Sequence, residues 1–213
     1  MTTITEEMLA SLRERVMQLM SQKRFRHTLA VEEMVTRLCA LYCPEKTQCL
    51  RAAALLHDVT KELDPEAQES LCRQYGIAVG DEERASPKLY HAQTAAEKIR
   101  ADFPTFADAT VISAVRWHTT GRADMTLPEK LLYLADYIDE SRTFQNCVIL
   151  RRYFFGASPE KMNAEERDEL LRKTLILSFD MTVRDLLEEG RSIAVDTVQA
   201  RNALILSHVG EKG

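Results

Sequence analysis

Apolar residues recur three and four positions apart through most of the chain, which is the spacing of one face of an α-helix. The first such stretch follows Thr3 and Glu6, two residues with the spacing of a capping box. A second stretch lies at about 25–43. A third, at about 46–59, is apolar on most sides and contains the run QCLRAAALLHDV. We therefore predict two amphipathic helices followed by a buried, central one.

The same spacing predicts further helices along the chain. They lie at about 65–75, 87–102, 106–118, 128–140 and 164–189, and a last helix follows Asp196 as its N-cap. Pro87 and Pro128 suit the first turn of a helix. No long alternating pattern indicates a strand, and the seven glycines form no phosphate-binding loop. The chain is expected to be all-α, with roughly eight to ten helices.

The 142–165 segment is the hardest to interpret. It carries apolar residues without a clean period, and Gly156, Ser158 and Pro159 indicate a turn. We expect it to connect the helices before it to those at the C-terminus. No repeat or low-complexity linker interrupts the 213 residues, so one domain, 1–213, is the default interpretation.

Composition and charge narrow the class of ligand. The net charge is −5 and no basic stripe stands out, which argues against a nucleic-acid partner. No apolar run of about 18 residues could span a membrane, and the acidic N-terminus does not resemble a secretion signal. The five cysteines have no C-x-x-C spacing and are expected to be reduced. We expect a cytoplasmic protein, in which local positive groups would have to hold any anionic ligand.

The candidate chemistry begins at His57 and Asp58, which close the apolar central helix. An ionised carboxylate in such a setting is costly unless it is paired or bound to a metal. The plainer alternative is an aspartate that caps a neighbouring helix or pairs with Lys61. Because a His-Asp dipeptide is common by chance, its apolar setting carries the argument.

Three more histidines, His27, His91 and His118, fall on or at the edge of apolar helix faces. Each taken alone is more simply a core histidine. Together with His57 they are better explained by convergence on one site. His208 fits no such pattern and is expected at the surface.

Two aspartates compete for a place in that site. Asp136 and Asp139 both border the buried face of the helix in EKLLYLADYIDE, and periodicity does not choose between them. Imidazole suits iron, zinc, copper and nickel, whereas carboxylate suits manganese and magnesium. The absence of thiolate argues against a structural zinc site. A mixed shell of this kind leaves positions for water and a substrate oxygen, as metal-assisted hydrolysis requires.

The order of these residues resembles the H…HD…D pattern of HD-domain metal phosphohydrolases. The chain resembles most closely the YqeK-type bacterial enzymes, which are symmetrical diadenosine tetraphosphate hydrolases that produce two ADP. The resemblance rests on RFRHT (24–28), AALLHDVTK (53–61), YHA (90–92), AVRWHTTGR (114–122), MTLPEKLLYLADYID (125–139) and Arg142. It covers about 20–142, with a weaker echo in DTVQARNALIL (196–206), and fails over 143–165.

The resemblance implies an HD-domain helical bundle with a core at about 20–142 and a C-terminal helical extension at about 143–213. It also implies the metal ligands His27, His57, Asp58 and Asp136, because the family's metal aspartate follows the Leu-Ala of such a YLAD string. The metal would be divalent, with iron the first candidate and manganese or another transition metal as alternatives. Whether one or two ions bind stays open.

The resemblance further implies a catalytic and a substrate-binding set. The catalytic residues would be His57, Asp58 and Lys61. The substrate would meet Arg24, His91, His118, Thr119, Thr120, Gly121, Arg122 and Arg142. His91 and His118 could instead hold a second metal. Gly121 has a plain helix C-cap as its alternative role, and Arg122 a solvated surface charge.

The implied reaction is attack of a metal-activated water on a phosphorus of the tetraphosphate bridge, with ADP as leaving group. Two other functions stay open: an HD phosphohydrolase acting on another nucleotide, and a non-catalytic nucleotide-binding regulator. The complete ligand set argues against the second, because a decayed site commonly loses a ligand. The expected partner is a dinucleoside polyphosphate or another nucleotide, and a homodimer stays open.

Overall fold

The computed structural model describes residues 3–80, 84 and 86–207, so His208 lies outside the described residues. Ten α-helices occur in this part of the chain: α1 Glu6–Met17, α2 Gln22–Tyr42, α3 Thr47–Leu56, α4 Pro65–Tyr75, α5 Tyr90–Asp102, α6 Ala109–Trp117, α7 Leu127–Ile138, α8 Gln145–Gly156, α9 Ala164–Glu188 and α10 Val195–Leu206. Over the same residues no strand is assigned. The all-α prediction is confirmed. None of the described helices is long and apolar enough to cross a bilayer.

Helix α3 lies at the centre, as its apolar sequence predicts. Its Ala52–Leu56 stretch is fully buried, and α3 packs against α1, α2 and α6. Helix α7 completes this group by packing on α2 and α6, and α5 packs on α6. Burial of five consecutive side chains excludes water from the C-terminal end of α3. The residues that follow α3 therefore enter a dry interior.

Local sequence signals explain most helix boundaries. Asp64 accepts a hydrogen bond from the Ala67 backbone and Pro65 opens α4, while Gly76 ends it at φ 65°. Thr126 and Glu129 form a capping box at the start of α7. These signals place α4 at its predicted bounds and α7 within two residues of them.

Two predicted caps are wrong. The first helix is capped by Thr5, which accepts from the Met8 backbone, and Thr3 lies outside it. The last helix begins at Val195 after Ala194, so Asp196 lies in its first turn, where a carboxylate faces the positive end of the helix dipole. The helices predicted to begin at 87 and 106 begin later, because the proline-led 3₁₀ turns Pro87–Leu89 and Pro104–Phe106 precede them.

The 142–165 segment forms helix α8, which packs on α7 and α9. Its buried face consists of Cys147, Leu150 and Phe154. The predicted turn is present: α8 ends at Gly156, and Ser158 has a φ of 57°. Arg151 ties α8 to the end of α7 through hydrogen bonds to the carbonyls of Ile138, Asp139 and Arg142. The N-terminus of α8 is therefore held beside the residues that follow α7.

Candidate functional site

Six side chains converge where five helices meet. His27 comes from the second turn of α2, His91 from the first turn of α5 and Asp136 from α7, while the others follow helix ends: His57 and Asp58 after α3, and His118 after α6. The four histidines and Asp58 are buried, and Asp136 is partly buried. The convergence that was predicted for these histidines is therefore present in the fold.

Three of the histidines use the same local device to aim their rings. The Nδ1 atoms of His57 and His118 lie 2.7 Å from the carbonyls of Ala54 and Val115, and His91 Nδ1 likewise meets the carbonyl of Lys88. In each case the carbonyl belongs to the residue three positions earlier. Because a carbonyl only accepts, Nδ1 donates in each ring, and Nε2 is the atom that faces the site.

His27 is oriented by side chains instead. Its Nδ1 lies 3.2 Å from Ser141 Oγ and 3.4 Å from Asp139 Oδ2. Asp139 in turn accepts hydrogen bonds from the backbone and hydroxyl of Ser141. Asp139 therefore contacts the outer side of the His27 ring, while Asp136 contacts the inner side.

The inward-facing atoms form two adjoining groups. In the first, Asp136 Oδ1 lies 2.9 Å from His27 Nε2 and 3.7 Å from His57 Nε2. In the second, Asp58 Oδ1 lies 3.3 Å from His91 Nε2 and 3.7 Å from His118 Nε2. The other oxygen, Asp58 Oδ2, is 3.3 Å from His57 Nε2. Asp58 thus joins the two groups.

Several of these atoms lack the partner that burial demands. Among the described residues, His27 Nε2, His57 Nε2 and Asp58 Oδ1 are buried without a hydrogen bond of acceptable geometry. Leaving such atoms unsatisfied costs about 1–3 kcal/mol each. Two triads in the described chain have the spacing of metal ligands: His27, His57 and Asp136, and His57, Asp58 and His118. The unsatisfied buried atoms and the nitrogen–oxygen donor set fit a divalent metal ion.

The two groups also differ in the pKa values of their histidines. Burial would lower the pKa of His57, but Asp58 and Asp136 together raise it to about 10. Burial and the Lys61 ammonium lower the pKa of His91 to about 4. Burial would raise the pKa of Asp58, but His57, His118 and His91 bring it well below its usual value. The carboxylate is therefore ionised, and His91 is a neutral imidazole, at neutral pH.

Four more predicted site residues border the cluster. Arg24 Nη1 lies 2.6 Å from Asp58 Oδ2, and Arg142 Nη2 lies 2.6 Å from Asp136 Oδ1. Lys61 Nζ lies 3.0 Å from His91 Nε2. Thr119 Oγ1 lies 3.2 Å from the Nε2 atoms of both His91 and His118. Three cationic side chains therefore border the two carboxylates of the cluster.

Thr120, Gly121 and Arg122 are placed elsewhere. Arg122 pairs with the buried Glu129, at 3.1 Å, and lies over the Trp117 ring. Gly121 has φ 67°, and a Cβ there would meet Phe179 at 2.8 Å, so the glycine serves close packing on the core. The Thr120 hydroxyl bonds the Gly121 carbonyl. In the described structure these three residues contact the core and α7 rather than the cluster.

A cavity of about 710 Å³ opens onto the cluster. Lys61, His118 and Asp136 line its inner end. Its outer end lies between the start of α8 and the end of α9, where Phe144 and Arg184 line it. The volume lies within the range of about 300–1,000 Å³ that is typical of small-molecule sites.

The sequence did not single out two residues of this region. Ser141 contacts His27 but carries no motif, and Phe144 lies in the segment without clear periodicity. From the sequence, Asp139 is only an alternative to Asp136. Its place on the outer side of His27 follows from the break of α7 after Ile138, which no periodicity could reveal.

The amino-acid sequence is similar to a known protein family and to individual proteins. The HD domain family model matches residues 24–141. The "Bis(5'-nucleosyl)-tetraphosphatase, symmetrical" of Halalkalibacterium halodurans is 31% identical over 192 residues, which cover 88% of this chain and 91% of that protein. The protein of the same description from Bacillus subtilis is 26% identical over 200 residues, 94% and 97% of the two chains.

A solved structure extends the match to three dimensions. The crystal structure of an HD superfamily hydrolase from Clostridium acetobutylicum, described as involved in NAD metabolism, aligns with a TM-score of 0.79 and 32% identity. The alignment covers 93% of this chain and 97% of that one. With its buried histidine–aspartate cluster in the matched region, this chain belongs to the HD domain family.

Proposed function

We propose that the protein hydrolyses diadenosine tetraphosphate symmetrically, into two ADP, with the help of a divalent metal. The observation that carries the proposal is the set of unpartnered imidazole nitrogens around Asp58, at the inner end of a cavity bordered by arginines. Relatives named symmetrical bis(5'-nucleosyl)-tetraphosphatase cover nearly the whole chain and support the choice of substrate.

His27, His57, Asp58 and Asp136 would hold the metal, for which iron is the first candidate and manganese the second. When bound, such an ion lowers the pKa of a coordinated water and polarises a phosphoryl oxygen. The chain's own part is to fix the ligands in place: the Ala54 carbonyl holds His57, and Ser141 and Asp139 hold His27. Rigid ligands keep the site assembled before substrate arrives.

The reaction breaks the central phosphoric anhydride. Water adds to one of the two middle phosphorus atoms, the bridging P–O bond breaks, and the bridging oxygen leaves on ADP. The leaving group is a stable anion, so positioning and charge neutralisation supply most of the catalysis. Arg24 and Arg142, each 2.6 Å from a site carboxylate, would shift toward the phosphates as these approach.

Lys61 and Thr119 would orient the phosphate chain. The Lys61 ammonium lies at the cavity, 3.0 Å from His91 Nε2, where it can donate to a phosphoryl oxygen. Thr119 lines the same cavity, and its hydroxyl meets His91 and His118. Symmetrical cleavage requires attack at one of the two middle phosphates, so one ADP half would lie on each side of the bond that breaks.

We also place the protein in the cytoplasm. The five cysteines, all within the described residues, form no disulfide, and four of them are buried. Cysteines that form no disulfide are typical of a reducing compartment.

Product analysis tests the proposal. The protein, loaded with iron or manganese, is incubated with diadenosine tetraphosphate, and the products are separated by ion-exchange chromatography. We expect ADP alone, and no product from the His57→Ala or Asp58→Ala variants. Products of AMP and ATP would contradict symmetrical cleavage. Turnover of NAD⁺ or a mononucleotide, without turnover of the tetraphosphate, would replace the substrate.

A further inference from the structure

The outer end of the cavity presents an aromatic ring that the fold does not use. Phe144 is 71% exposed and lines the cavity that leads to the metal cluster. It is the N-cap residue of α8 and makes no side-chain capping bond. Its ring therefore stabilises neither the core nor the helix end, although burial of a phenylalanine side chain is worth about 1.5–3 kcal/mol.

The backbone beneath this ring is nonetheless fixed. Helix α8 begins at the next residue and buries Cys147 and Leu150. On the other side, Arg151 hydrogen-bonds the carbonyls of Asp139 and Arg142. A ring on a rigid support loses little conformational freedom when a flat ligand stacks on it.

Phe144 also lines the same cavity as Arg142, one of the proposed phosphate-binding groups. Arg142 contacts Asp136 and precedes Phe144 by two residues. The Cα atoms of Arg142 and Phe144 are therefore at most about 7 Å apart. In a nucleotide, a ribose of similar dimensions separates the base from its first phosphate. A nucleotide whose phosphates lie near Arg142 would thus bring its base to the ring.

We propose that Phe144 is the platform on which a nucleobase of the substrate stacks, at the outer end of the cavity between α8 and α9. This inference rests on the proposed function for the identity of the ligand, a nucleoside diphosphate half of the dinucleotide. Stacking accepts any base, because every base has a π-face, so Phe144 supplies affinity for a nucleoside rather than selection of adenine. The affinity for a phosphate compound that lacks a base should not depend on the Phe144 ring.

Calorimetric titration of two ligands tests the assignment. ADP and pyrophosphate, which lacks the base, are each titrated into manganese-loaded wild-type protein and three variants. Phe144→Ala should weaken ADP binding about tenfold, since base–aromatic stacking is worth about 1–3 kcal/mol. Its affinity for pyrophosphate should stay unchanged, and Phe144→Tyr should restore ADP binding. Tyr153→Ala, an exposed aromatic of the same helix that does not line the cavity, serves as matched control and should bind both ligands normally.

The outcomes separate this inference from the proposed function. Unchanged ADP affinity in Phe144→Ala, equal losses for ADP and pyrophosphate, or no ADP binding by the wild type would overturn the stacking role. The titration requires no turnover, so a selective loss of ADP binding would uphold it even if diadenosine tetraphosphate were not cleaved. With turnover present, Phe144→Ala should raise KM for the tetraphosphate about tenfold and leave kcat nearly unchanged.

Discussion

The two ends of the cavity differ in burial and in the kind of side chain that lines them. At the inner end, polar atoms of His27, His57 and Asp58 are buried in the interior of the described structure without a hydrogen bond of acceptable geometry. At the outer end, Phe144 and Arg184 are exposed, one at the start of α8 and the other on α9. The inner end costs free energy when it is empty, whereas the outer end costs almost none. Removal of the metal or its ligands at the inner end should therefore reduce the stability of the protein. Removal of a side chain at the outer end should reduce only the affinity for substrate.

The largest expected effect comes from the inner end. His57→Ala removes an imidazole that faces both Asp58 and Asp136. Activity toward diadenosine tetraphosphate should fall by about 10³-fold or more, because the metal contributes several kcal/mol to the transition state. Thr120→Ala is the control, since the structure places that residue outside the cluster. A comparable loss in Thr120→Ala would contradict this placement.

Metal removal should come next. At a metal concentration of about a hundred times Kd, binding to the native state adds about 2.7 kcal/mol. For a chain of this size that corresponds to about 5–10 °C in Tm. Chelator should lower the melting temperature by this amount in a thermal denaturation experiment, and His57→Ala should show no chelator-dependent shift. An unchanged Tm in the wild type would mean that the inner end is satisfied without metal.

Asp139→Asn should have a smaller effect on the same end. Asp139 is fully buried, and its Oδ2 atom lies 3.4 Å from both His27 Nδ1 and Arg142 Nε. Groups that orient a metal-bound histidine typically contribute 10–100-fold in affinity. Manganese affinity, measured by calorimetry, should fall by about this factor, with the unfolding transition still cooperative. An affinity equal to wild type would remove Asp139 from the supporting role.

The smallest effect belongs to the outer end. Arg184 is exposed and lines the cavity, so its guanidinium would meet the outer phosphates or ribose. Arg184→Ala should raise KM about threefold to tenfold, with less effect at high salt, and leave Tm unchanged. Arg152→Ala, an exposed arginine of α8 that does not line the cavity, should behave as wild type. A stability loss in Arg184→Ala would erase the proposed difference between the two ends.

Sequence alone could predict the inner end because burial leaves a periodic trace. His27 shares an apolar face with Val31. The apolar run Ala52–Leu56 predicts that His57, the next residue, is buried. The resemblance then selected Asp136, and the geometry puts it nearest His27 Nε2. These positions share an apolar neighbourhood, and the sequence of each single helix is enough to recognise it.

The outer end could not be predicted in this way. Cys147, Leu150 and Phe154 do recur at helical spacing, but Val148, Ile149 and Phe155 around them mask the period. Exposed residues such as Phe144 carry no periodic signal at all, because nothing in the core constrains them. Similarly, the pairing of Arg122 with Glu129, seven residues later, could not be predicted, because it forms only once α7 folds back toward the arginine.

The inner end is proposed as a metal site, and anomalous scattering from a bound ion tests that assignment. A crystal of iron- or manganese-loaded protein is measured on both sides of the metal absorption edge. We expect an anomalous peak about 2.0–2.3 Å from His27 Nε2, His57 Nε2 and the carboxylates of Asp58 and Asp136. A second peak beside His91 and His118 would extend the site. No peak at His57, in protein that binds metal stoichiometrically, would contradict the claim.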